Sequence, residues 1–97
     1  MFHHVAMFKF EDGTTADQVA AVTEALAALP DAIDVLAGYR FAPDAGVTEG
    51  SWDYVVIADL PDADAYLAYK NHPAHRAVVE DLIAPIVREA ARVQFTT

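Results

Sequence analysis

The chain has 97 residues, of which 15 are acidic and 6 basic, giving a formal net charge of −9, and it contains no cysteine. A surface of that sign repels nucleic-acid phosphates and anionic lipids, which argues against both as partners. The lack of cysteine excludes disulfides, thiolate nucleophiles, iron–sulfur clusters and cysteine-based zinc sites.

The length fits a single domain spanning residues 1–97. Hydrophobic residues make up 55% of it, more than a domain this small hides by itself, so some apolar surface is expected against a second chain. The opening Met1-Phe2-His3-His4 has neither the basic start nor the apolar core of a secretory leader, and no run is long enough to cross a membrane, so a cytoplasmic location is expected.

In chain order, Phe2 to Phe10 reads as a strand with His4, Ala6, Phe8 and Phe10 on one face and His3, Val5, Met7 and Lys9 on the other. Glu11-Asp12-Gly13 is turn chemistry. Thr15, with Gln18 three residues on, forms a capping-box pattern opening a helix whose stripe is Val19, Val22, Leu26 and Leu29 and which Pro30 ends. Ile33 to Phe41 reads as a second strand and Pro43 to Gly46 as a loop. Trp52 to Leu60 reads as a third strand, with Trp52 and Tyr54 assigned to the core. A helix from Pro61 carries Tyr66, Leu67 and Tyr69, with Asp62 and Asp64 suited to its first turn. Asn71-His72-Pro73 interrupts it, and Pro73 starts a further helix to about Pro85. Arg88 to Phe95 is the last strand.

This β-α-β-β-α-β order is that of an α+β, ferredoxin-like domain with a four-stranded antiparallel sheet. Helices cover one face of such a sheet. The other face should be polar if wetted, yet Val5 and Met7 lie behind Ala6 and Phe8, and Val55 and Ile57 behind Tyr54 and Val56. Two copies packed through these faces would bury the excess, so a homodimer is expected.

The opening His4-Val5-Ala6-Met7-Phe8-Lys9-Phe10, the stretch Tyr69-Lys70-Asn71-His72-Pro73-Ala74-His75 and the run Glu49-Gly50-Ser51-Trp52-Asp53-Tyr54 resemble the stress-responsive A/B barrel (Dabb, dimeric α/β barrel) family, with the His-Pro-x-His stretch the most specific part. The resemblance implies a ferredoxin-like protomer and a dimer whose sheets close into a barrel. The family includes plant stress proteins and polyketide-cyclising enzymes similar to olivetolic acid cyclase. In those enzymes a Tyr and a His form an acid–base pair in a pocket between sheet and helices, and another His lines it. The matching positions are Tyr69, His75 and His4.

The residues themselves are consistent with such chemistry. His75 in the first turn of a helix is biased toward the neutral form, and a neutral imidazole beside a phenol can move a proton. His4 lies on the face assigned to the helices. Against this stands a structural reading: His72 capping the helix at Pro73, His75 bonded to a backbone carbonyl, and Tyr69 in the core. His72 and His75 have metal-chelating spacing but no identifiable third ligand, so no metal is expected, and no motif calls for a cofactor. Lys9, Arg40, Arg88 and Arg92 fall in predicted strands, as solvent-facing ends or ion pairs at a dimer seam, with anion binding the alternative. Two functions remain: a small-molecule binder or cyclase/isomerase-like enzyme using Tyr69, His75 and His4, and a non-catalytic stress-responsive dimer. Cofactor-free monooxygenase-like activity stands behind both.

Overall fold

The computed structural model describes all 97 residues. The chain forms β1 (Phe2–Phe10), α1 (Ala16–Ala27), α2 (Leu29–Ala32), β2 (Gly38–Pro43), β3 (Tyr54–Leu60), α3 (Ala63–Asn71), α4 (Pro73–Val78) continued by a π-turn (Val79–Ile83), and β4 (Val87–Thr96). The four strands make one antiparallel sheet in the order β2-β3-β1-β4, the ferredoxin-like arrangement in which β1 and β2 flank β3 across a helical connection.

Local chemistry sets the boundaries. Gly13, at φ +86°, takes the left-handed turn after β1. The Thr15 hydroxyl accepts from the Gln18 amide at 3.2 Å while the Gln18 side chain accepts from Thr15 N at 2.8 Å, a complete capping box. Pro30 does not end the helical region as expected. It occupies the first turn of α2, where a missing N–H costs nothing. Ile33 therefore caps α2 and is buried in the core, and β2 begins at Gly38 rather than Ile33. The third strand starts at Tyr54, two residues later than expected. Trp52 lies outside it, only half buried, with the Lys9 ammonium 4.8 Å above its ring, which corrects its assignment to the core. Tyr54 is buried as expected, its hydroxyl bonded to Thr23 at 2.7 Å.

The core lies between the sheet and the helices. Val22, Leu26, Leu29 and Ile33 meet Tyr54, Val56, Ala58 and Leu60 there, closed by Tyr69, Val78, Ile83 and Ile86. Burial of each aliphatic side chain contributes roughly 1.5–3 kcal/mol. The other face of the sheet is covered by no element of this chain. Val5, Met7, Val55 and Ile57 are only partly buried on it, and Val93 and Phe95 are exposed, at 59% and 47% of their full area. It also carries a polar cluster: His3 Nδ1 is hydrogen-bonded to Asp59 Oδ1 at 2.6 Å, Arg40 lies 3.9 Å from Asp59, and the His3 ring stacks on Phe95. No helix is long and apolar enough to cross a membrane.

Candidate functional site

A cavity of about 230 Å³ opens between β1, β4 and the helices, lined by the three sequence-predicted residues His4, Tyr69 and His75 together with Tyr39, Tyr66 and Arg92. A more open depression of about 250 Å³ on the surface shares Lys70, His75 and Val79 with it. A larger one, about 660 Å³, runs along α1 but offers a hydroxyl and one carboxylate, Thr23 and Glu24, with no imidazole or phenol. Chemistry therefore singles out the first.

Each side chain is placed by its element. Tyr69 is on α3, two residues before the break at Asn71, and is almost fully buried. Its hydroxyl bonds that of Tyr39 on β2 at 2.8 Å. Burial and the neighbouring phenol raise the Tyr39 hydroxyl well above the usual tyrosine range, and burial pushes Tyr69 up to about 12. Both phenols thus stay protonated donors at neutral pH. In a phenol pair one O–H is used between the two oxygens and the other remains free to donate.

His75 follows Pro73 by two residues in α4, and its ring lies 4.3 Å from that of Tyr69, centroid to centroid. Nδ1 is 3.0 Å from the Lys70 carbonyl oxygen. A carbonyl only accepts, so Nδ1 carries the proton and donates, and in the neutral ring Nε2 keeps a bare lone pair. Burial lowers the His75 pKa, the Lys70 carbonyl opposes it, and charge on His72 adds to the lowering. The neutral form is favoured as the sequence suggested, with burial rather than the helix terminus as the main cause.

His72 caps α4, its Nδ1 accepting from the Ala74 amide at 3.1 Å. No third His, Asp or Glu joins His72 and His75. His4 is on β1, 8% exposed, its ring tilted against that of Tyr66 with centroids 4.7 Å apart. The Gln94 side-chain amide on β4 donates to its Nδ1 at 3.1 Å, so Nε2 carries the hydrogen. Burial, with charge on His75, Arg92 and Lys70, lowers the His4 pKa to about 4.

The arrangement therefore sets one base, His75 Nε2, against neutral donors from His4 and the phenol pair. Tyr69 and His75 touch through their rings, but the hydroxyl of Tyr69 is bonded to Tyr39, which sequence reading did not single out. Tyr66, Gln94 and Lys70 were also missed as site residues. Arg92 was read as a strand end facing solvent or a dimer-seam ion pair, with anion binding the alternative; it sits opposite Ala6 and borders the cavity on the helix side.

Comparison with known proteins finds relatives that match most of the chain. A ferredoxin-like protein of unknown function from Thermobifida fusca, described as dimeric, is 42% identical, with a TM-score of 0.92 over 99% of this chain and 90% of that one. An uncharacterized protein of Streptomyces coelicolor is 35% identical over 81 residues, 81% of this chain and 84% of that one. The hydroxynitrile lyase of Passiflora edulis shares the fold at 8% identity, with a TM-score of 0.82 over 97% of this chain and 90% of that one. The profile of the Stress responsive A/B Barrel Domain family matches residues 2–97, and the chain belongs to that family.

Proposed function

We propose that this is a cytoplasmic, homodimeric, single-domain protein that binds a small organic molecule in the His4–Tyr69–His75 cavity and carries out acid–base chemistry on it, of the cyclase or isomerase kind. One observation carries the reading: a histidine whose Nδ1 is committed to a carbonyl, leaving a lone pair on Nε2, lines the same small cavity as the Tyr39–Tyr69 phenol pair and a second neutral histidine. Proton abstraction next to a carbonyl needs these parts. His75 Nε2 takes the proton from carbon, the electron pair moves to the carbonyl oxygen, and His4 Nε2–H and the free phenolic O–H donate to that oxygen. Return of the proton at another atom isomerises the substrate, and attack of the carbanion on a second carbonyl cyclises it.

The dimer rests on the uncovered apolar sheet face, supported by the dimeric Thermobifida fusca relative. The catalytic cavity lies on the opposite side of the sheet, so each protomer holds its own.

A second reading, a non-catalytic dimer, draws on a different observation. Every buried polar side-chain atom already has a partner within the chain, as a site built only for stability requires. Deuterium uptake separates the two. With phenylpyruvate in D2O, proton NMR should show loss of the α-proton signal faster than in buffer, slowed by about 10²-fold or more in His75→Gln. Equal rates for wild type, His75→Gln and buffer would favour the non-catalytic dimer.

A further inference from the structure

The chain sets six Lys and Arg against fifteen Asp and Glu. Four of the six lie beside a carboxylate: Lys9 at 3.6 Å from Glu89, Arg40 at 3.9 Å from Asp59, Arg76 at 3.4 Å from Glu80 and Arg88 at 3.7 Å from Asp12. Only Lys70 and Arg92 have no carboxylate within that reach, and both border the cavity of His4, Tyr69 and His75. No Asp or Glu lines that cavity. In a chain where acids outnumber bases more than twofold, an unpaired cation is the rarer outcome, and two at one opening form a local positive field on a negative protein. Arg92 stands across from Ala6, whose methyl group leaves space above the strand. Lys70 is the residue whose carbonyl orients His75, so its position is tied to the base.

The walls specify the rest of the ligand. Tyr66 and Tyr69 present aromatic rings, and Val56, Val79 and Ile83 supply apolar surface. The volume, about 230 Å³, falls below the roughly 300–1,000 Å³ of pockets for drug-sized molecules, which limits the occupant to a single ring or its open-chain equivalent. We infer that the cavity takes a small monocyclic organic carboxylate, its ring among the tyrosines and its carboxylate held at the rim by Arg92 and Lys70. A guanidinium matches a carboxylate with two parallel hydrogen bonds, and an ammonium adds a point charge. This deepens the proposed function by naming the ligand class, and it rests on the cavity being a ligand site.

The test titrates phenylacetate and its neutral isostere phenylacetamide into the isotopically labelled protein, following backbone amides by NMR. Phenylacetate is expected to shift amides of residues around the cavity in a saturable way, at least tenfold more tightly than phenylacetamide. Arg92→Gln should weaken phenylacetate about tenfold and leave phenylacetamide unchanged. Arg88→Gln removes the same charge away from the cavity and should alter neither. Equal affinity for the two probes would overturn the carboxylate assignment while leaving a ligand pocket. Equal weakening by Arg88→Gln and Arg92→Gln would overturn it too, tracing the effect to bulk charge. Saturation by neither probe would overturn both the assignment and the pocket.

Discussion

His4 links the packing of the fold to the proposed chemistry. It is buried on the helix side of β1, between Tyr66 and the Gln94 amide, and its pKa is lowered to about 4 from 6.5. The unfolded chain therefore takes up a proton at higher pH than the native one. The stabilisation from a neutral, buried His4 is fully present above pH 6.5 and is lost as pH falls toward 4. Its size is on the order of 2 kcal/mol once partial solvent screening is allowed for. In denaturant unfolding, wild type should lose about that much more stability between pH 6.5 and 4 than His4→Gln. Parallel losses would show that His4 is not held neutral. The side of the strand on which His4 lies was legible from alternation along β1. Its partner Gln94 was not, because the pairing register of a strand 90 residues away leaves no local trace. Tyr39 was illegible for the same reason: nothing in its own strand marks the contact of its hydroxyl with Tyr69 on α3.

At the scale of elements, the capping box at Thr15 and the His72–Pro73 restart of α4 were readable, since each is set by chemistry within a few residues, whereas Asp62, expected in the first turn of a helix from Pro61, is instead the cap of a helix that starts at Ala63. The start of β2 was not. Ile33 has the composition of a strand residue, but its burial beneath α2 comes from tertiary packing. The π-turn at Val79–Ile83 also left no mark on the sequence. It widens the helix where Val79 and Ile83 form the cavity wall, a common place for such turns. β4 is the most instructive element. Its alternation separates Ala91, Val93 and Phe95 from Arg92 and Gln94, and an apolar set invites assignment to the protein interior. The register with β1 decides which set is covered: Arg92 and Gln94 face the helices, while Val93 and Phe95 lie on the uncovered face. Periodicity tells which residues share a face but not which face is covered.

In the whole molecule, the sheet divides two tasks between its faces. The helix side holds the core and the cavity, and the other side carries Val5, Met7, Val55, Ile57, Val93 and Phe95, the surface of the proposed dimer. Sequence reading found this excess through β1 and β3, where both faces are apolar, and missed the contribution of β4. A carboxylate in the middle of that face should separate the protomers, because an unpaired buried charge costs several kcal/mol. Ile57→Glu is expected to sediment as a folded monomer, while His75→Ala, changed on the far side of the sheet, stays a dimer. A dimeric Ile57→Glu or a monomeric His75→Ala would show that association uses another surface.

The account turns on His75 being a neutral base with Nε2 free, and nitrogen-15 NMR of the imidazole ring reports this directly. At pH 7 the ring nitrogens should show a protonated Nδ1 and a bare Nε2, with a protonation midpoint below 6.5. A ring carrying its hydrogen on Nε2, or a midpoint at or above 6.5, would contradict the assignment of His75 as the base.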